Sequence, residues 1–263
     1  LASPWFMAPT KLLRITEYLA EAGRIALDLL YPPACAACRQ PLSAGHPIGL
    51  CDPCRSQFLC PLPTCPRCGL RLGPFVPVAK SCAGCRRQSQ PYQRVVSVGR
   101  YDGLLREAVI AAKELPGEPL AVALARLLAQ RLCEQSPPTS QTVVIPIPSQ
   151  SWRRLRRGTS AAETLAIELA RQFQLPLLMP LYCRRRVAKQ GTLSLSQRAE
   201  NVRDLFAIRQ SVAQRWQAIP RAHREALLID DVMTSGSTVR EAARQLRRSG
   251  LSRITVAVLA RAQ

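Results

Sequence analysis

The sequence predicts an α/β protein: an open, mainly parallel sheet flanked by helices, preceded by a small cysteine-rich module. Three observations carry this prediction. Nine of the eleven cysteines fall within residues 34–93, mostly as CxxC pairs among Pro and Gly. From Arg94 onward, apolar runs of strand length alternate with helical patterns, as they do when parallel strands are joined by helical crossovers. One of these runs, ALLI, ends in two adjacent acids followed by a hydroxyl-rich loop and a helix. That order places an anion site at the carboxyl end of a strand.

A chain of 263 residues holds one α/β domain and a small appendage. Hydrophobic residues at 47% and charged residues at 21% exclude a disordered polymer. The net charge of +20 comes from 37 basic and 17 acidic residues, and the only lysines are Lys11, Lys80, Lys113 and Lys189. Arginine forks grip phosphate bidentately, so the excess points to phosphorylated ligands or nucleic acid. An arginine-rich genome would raise the same count without any ligand. With only His46 and His223, chemistry built on several histidines is excluded. The N-terminus lacks a basic segment followed by an uninterrupted apolar one, and no apolar run reaches the ~20 residues of a membrane span. The protein is expected in the cytoplasm without membrane insertion, where a disulfide framework is disfavoured.

Three zones follow along the chain. Residues 1–33 contain TKLLRITEYLAEAGRIALDLLY, with apolar side chains near helical period, Thr10 as a cap and Pro32-Pro33 as a stop. This predicts an amphipathic helix that docks by packing, in preference to lying on a membrane surface. Residues 34–93 form the cysteine module, and 94–263 the α/β domain. Within the latter, RVVSVGRY, TVVIPIP, PLLMPLY, ALLIDDV and RITVAVLA read as buried strands. Residues 104–113, 118–133, 160–173 and 237–248 read as helices.

The cysteine pairs are Cys35/Cys38, Cys51/Cys54, Cys65/Cys68 and Cys82/Cys85, about one every 15 residues. Two residues between thiolates let one tight turn present both sulfurs to a tetrahedral metal, so four pairs imply two zinc ions. Sequential pairing is preferred, with Cys35, Cys38, Cys51 and Cys54 on one ion and Cys65, Cys68, Cys82 and Cys85 on the other. Interleaved pairing satisfies the same spacing. Four thiolates leave no open position, so this zinc is structural. Redox-active CxxC motifs open a helix after a strand, whereas these lie among turn residues. Cys60, Cys133 and Cys183 are left over and read as small inert hydrophobes.

The strongest signal is ALLIDDVMTSGSTVREAARQLRRSG, Ala226–Gly250. Backbone N–H groups at a helix N-terminus, with the hydroxyls of Thr234, Ser235, Ser237 and Thr238 and the freedom of Gly236, surround a phosphate. Asp230 and Asp231 sit where open sheets bind ligands and suit ribose hydroxyls. No Lys follows the glycine and no GxGxxG is present, which excludes a Walker A loop and a dinucleotide fingerprint. A turn that merely caps a helix would leave the acids unexplained.

IDDVMTSGST resembles the phosphoribosyl-pyrophosphate (PRPP) motif of type I phosphoribosyltransferases. With the four CxxC pairs, LDLLYPPACAAC, VVIPIPSQSWRRLRRG, LSLSQRAENVRDLF and the terminal LAR, the chain resembles the ComF family over residues 27–261. That family is linked in bacteria to competence and DNA uptake. The resemblance implies a type I phosphoribosyltransferase-like domain behind a double zinc ribbon. It implies that Asp230 and Asp231 hold the ribose hydroxyls at the reaction centre, and that Thr234, Ser235, Gly236, Ser237 and Thr238 hold the 5′-phosphate. It places Ser149, Arg153, Arg154, Arg156 and Arg157 near the pyrophosphate, with Mg²⁺ accompanying PRPP. It makes Arg186–Arg198 a closing loop, for which Arg184, Lys189, Gln190 and Arg198 are weaker candidates; a solvated charged loop would carry the same residues. Single-stranded DNA and DNA-processing proteins are the implied partners. The chain departs from the family pattern at RGTSA, where RGFNQ is usual, and at KELPGE, where KYRGD is common. Both lie where pyrophosphate or acceptor contacts are expected.

Three functions compete: a phosphoribosyltransferase, a non-catalytic DNA-handling protein that keeps the PRPP site as sensor or relic, and an adaptor. Retention of both acids and the whole hydroxyl loop counts against the adaptor.

Overall fold

A computed structural model of the protein describes residues 32–43, 45–59, 63–73, 81–114, 117–149, 160–185, 200–217 and 224–262. The expected helix over residues 10–31, Cys60, the arginines of 153–157, and Lys189, Gln190 and Arg198 lie outside the described residues. The chain divides into two units, Leu1–Cys51 and Asp52–Gln263. In the first unit, residues 32–51 form a knuckle: an antiparallel bridge joins Ala34 to Pro41, and Leu42 N–H donates to the Pro33 carbonyl at 2.8 Å.

The second unit begins with helix α1, Asp52–Phe58, and a second knuckle bridged between Thr64 and Arg71. Short helix α2, Ala83–Arg87, precedes strand β1, Arg94–Arg100. Then come α3 (Gly103–Ala111), α4 (Glu118–Gln135), β2 (Thr142–Pro146) and α5 (Ala161–Phe173). They are followed by β3 (Leu181–Cys183), β4 (Phe206–Ile208), α6 (Gln210–Gln217), β5 (Glu225–Met233), α7 (Ser237–Arg248) and β6 (Arg253–Arg261). The main sheet has the order β1–β6–β5–β2 with every neighbouring pair parallel. The predicted open parallel sheet is therefore present.

Strand β5 lies inside the sheet, and Ala226, Leu227, Leu228 and Ile229 are all buried. An inner parallel strand is covered on both faces, which explains an unbroken apolar run. On one face Ala226 and Leu228 join Val239, Ala242, Ala243 and Leu246 of α7 in one core with β3, β4 and Trp216. The i, i+3, i+4, i+7 spacing of those α7 residues is an amphipathic stripe. Helices α4 and α5 cover the sheet's other face. They are tied together by buried Glu168, which accepts from Arg126 at 3.0 Å and from Arg171 at 2.8 Å. A capping box starts α5: Ser160 Oγ accepts from Glu163 N–H, and the Glu163 carboxylate from Ser160 N–H.

The segment PLLMPLY differs from expectation. Leu177 makes one parallel bridge with Val144, and Leu181–Cys183 pairs antiparallel with Phe206–Ile208 in a separate two-stranded sheet. Pro176 and Pro180 have no N–H to give a ladder, so the run cannot continue the main sheet. Among the described residues no helix is long and apolar enough to cross a membrane.

Candidate functional site

The parallel ladder carries Asp230 into register with Val258 of β6, and the chain turns out of the sheet after Met233. Both acids are half-buried and bent back on the backbone. Asp230 Oδ1 accepts from Asp231 N–H at 2.9 Å, and Asp231 Oδ1 from Val232 N–H at 2.7 Å. Lys113, two residues past α3, makes an ion pair with Asp231 Oδ2. Burial, and then the charge of Asp231, push the Asp230 carboxyl well above its usual range, against the pull of the Asp231 N–H and Lys113.

The loop then closes on itself. Ser235 Oγ and Ser237 Oγ lie 3.0 Å apart, and Arg240 of α7 donates to Ser237 Oγ at 3.4 Å. Gly236 has φ +75°, and a Cβ there would fall 2.5 Å from the Met233 methyl. That methyl is the end of a flexible chain and can move, so the left-handed backbone is what demands glycine. The loop therefore presents the N-terminus of α7 with three hydroxyl-bearing residues, Thr234, Ser235 and Thr238, half-buried and Ser237 buried.

Ser149 lies near the same end of the sheet. Two residues before it, Ile147 N–H donates to the Ile229 carbonyl at 2.8 Å, keeping the continuation of β2 beside β5 where the acids begin. Arg184 is exposed just past β3. Sequence reading missed three basic residues. Lys113 was visible only as the first residue of KELPGE, Arg240 as part of a helix face, and Arg261 as the end of a strand.

The cysteines gather sequentially. Cys35, Cys38, Cys51 and Cys54 form one group and Cys65, Cys68, Cys82 and Cys85 another, with all sulfurs of a group within 4.8 Å of one another. The interleaved alternative is thereby overturned. Cys38 and Cys51 sulfurs are 3.6 Å apart, as are those of Cys68 and Cys82. Zn–S bonds near 2.3 Å put tetrahedral sulfurs about 3.8 Å apart, so both donor sets fit structural Zn²⁺. Backbone N–H groups prepare one thiolate in each group, whereas burial pushes Cys68 and Cys85 up. Burial raises Cys35, but N–H groups of Cys38, Cys51 and Ala37 outweigh it and hold the thiol at about 6. Those of Cys82, Cys68 and Arg67 likewise hold Cys65 at about 7. Cys183 is half-buried as a small hydrophobe would be, whereas Cys133 is exposed and does not fill the core.

Comparison with known proteins agrees with this division. Residues 26–86 match the model of a double zinc ribbon domain, and residues 112–263 that of a phosphoribosyl transferase domain. The chain is 32% identical over 238 residues to the DNA utilization protein YhgH of Salmonella typhi, covering 89% of this chain and 99% of that protein. It is 30% identical over 237 residues to its namesake in Escherichia coli K12, with the same coverage. It is 31% identical over 235 residues to Competence protein F of Haemophilus influenzae, covering 87% of this chain and 96% of that one. With two cysteine centres ahead of a parallel sheet that ends in the acid pair and hydroxyl loop, the chain belongs to the ComF family.

Proposed function

We propose that the protein binds PRPP with Mg²⁺ at the carboxyl end of β5 and serves DNA uptake or utilisation in the cytoplasm as a phosphoribosyltransferase-like protein. The observation that carries this reading is the unbroken run Asp230–Thr238: two adjacent carboxylates at the end of an inner strand, leading through hydroxyls into the N-terminus of α7. In this reading Asp230 and Asp231 accept the ribose hydroxyls, and Thr234, Ser235, Gly236, Ser237 and Thr238 surround the 5′-phosphate. Ser149 and the arginines 153, 154, 156 and 157 neutralise the pyrophosphate as its bond to ribose C1 breaks and an acceptor's bond forms. Lys189, Gln190 and Arg198 close over the centre. Mg²⁺ is held by few protein carboxylates and mostly by substrate oxygens, and supplies charge neutralisation; the acid pair suits that division. The names of the relatives support single-stranded DNA and DNA-processing proteins as partners. The departures RGTSA and KELPGE, at pyrophosphate or acceptor positions, favour a second reading in which PRPP is sensed and not consumed.

Calorimetry on zinc-loaded protein tests the proposal. PRPP with Mg²⁺ binds and raises the melting temperature by mass action, and ribose 5-phosphate competes. Asp231→Asn weakens binding by about tenfold or more, since hydrogen bonds to charged groups contribute about 1.5–3 kcal/mol. Ser249→Ala, at the far end of α7, leaves it intact. Asp230→Asn separates ligand from fold. Its folded-state carboxyl keeps a proton above the usual 3.8, so ligand-free stability falls as pH rises from there through the raised value. Asp230→Asn flattens that slope and raises neutral-pH stability while weakening PRPP. No PRPP binding by folded, zinc-loaded protein overturns both readings.

A further inference from the structure

Arg261 ends β6 with its guanidinium buried, the residue being 6% exposed. Nε donates to the carbonyl of Cys68, a ligand-set residue of the second knuckle, at 3.0 Å. Nη1 donates to the Met233 carbonyl at 2.7 Å, and also to those of Thr234 and Ala262. One planar fork thus grips the second cysteine centre with one nitrogen and the first peptide groups of the hydroxyl loop with another. Only arginine presents donors in such a rigid fan. The knuckle is seated closely as well: a Cβ on Gly69 would stand 3.2 Å from Val95 Cγ1 of β1.

The charge makes this more than a brace. Among the described residues no carboxylate pairs with Arg261, and a buried cation held only by carbonyl dipoles is costly. Four thiolates around a divalent ion carry a net charge of minus two, a counter-charge that no carboxylate of the described residues gives this guanidinium. Metal at the four sulfurs fixes the second knuckle, and with it the Cys68 carbonyl that Arg261 Nε holds; when the metal leaves, that carbonyl loses its fixed place.

We propose that Arg261 is a positioning residue that couples the second cysteine centre to the hydroxyl loop, so that metal at Cys65, Cys68, Cys82 and Cys85 tightens PRPP binding. This rests on the PRPP reading above. Linkage makes the coupling reciprocal: PRPP must retain that metal by the same factor.

The test uses the zinc-loaded full chain, a zinc-selective chelator that spares Mg²⁺, and thiol alkylation read cysteine by cysteine by mass spectrometry. Saturating PRPP with Mg²⁺ slows alkylation of Cys65, Cys68, Cys82 and Cys85 by about fivefold or more, the usual lower range of such couplings, and leaves Cys35, Cys38 and Cys51 unchanged. Arg261→Lys, which keeps the charge but cannot span both partners, erases that protection and weakens PRPP by a similar factor. Equal alkylation rates with and without bound PRPP in the unmutated protein overturn the coupling while leaving the PRPP site standing. Absence of PRPP binding in the same calorimeter overturns the reading and the coupling with it.

Discussion

The two knuckles are built by one recipe and used differently. In the first, Cys35 N–H donates to Gln40, Arg39 N–H to Cys35 and Leu42 N–H to Pro33; in the second, Cys65 N–H donates to Leu70, Gly69 N–H to Cys65 and Leu72 N–H to Pro63. The N–H of Cys51 reaches the Cys35 sulfur at 3.3 Å, and that of Cys82 reaches Cys65 at the same distance. Even the left-handed residue is kept, at φ 64° for Arg39 and 71° for Gly69. What differs is the surroundings. Cys38 is exposed where its counterpart Cys68 is buried, and Arg39 is exposed where Gly69 is buried against Val95. The turn alone tolerates arginine; seating the turn on a sheet does not. Glycine at 69 therefore reflects docking and not the zinc-knuckle fold.

The largest effect that would sharpen this contrast comes from the ligands. Cys68→Ser is expected to destabilise the β-sheet unit by several kcal/mol, as loss of a structural metal does, seen as faster hydrogen exchange at β1 and β6 amides. Cys38→Ser should expose amides of residues 32–51 and leave those strands protected. Similar exchange patterns for the two would break the comparison. A smaller effect is expected at Gly69→Ala, since a left-handed backbone costs a side chain about 1–2 kcal/mol and Val95 must also give way. Chemical unfolding of zinc-loaded protein measures it. The smallest is Arg39→Gly, which relieves the same backbone penalty and should stabilise the first knuckle by about 1 kcal/mol at most. A destabilised Arg39→Gly protein would show that this arginine has a role of its own.

Much of this architecture was legible because it is local. CxxC spacing marks thiol pairs, and ALLIDD-TSGST states strand, acids, loop and helix in chain order. PLLMPLY misled because a short apolar run says buried without saying in which sheet; its two prolines were the available warning. Arg261 was illegible for a different reason. Its partners, Cys68 and Met233, lie 193 and 28 residues away, and both bond through backbone carbonyls that every residue carries. No residue-type pattern encodes such a contact; only the β5–β6 register and the docked knuckle create it. Lys113 is similar, a lone lysine whose carboxylate lies across the fold.

The Lys113–Asp231 ion pair changes what an approaching ligand meets. A polyanion nearing two bare carboxylates would face a repulsive barrier, steepest at low salt. Here one carboxylate is already neutralised by an ammonium and burial favours the protonated form of the other, while Arg240 adds a cation on the hydroxyl loop. Among the described residues the entrance is therefore not repulsive to a polyanion, since its acid pair is offset and Arg240 leaves a positive charge beside it. Lys113 can then exchange one anionic partner for another without ever being left exposed as an unpaired charge.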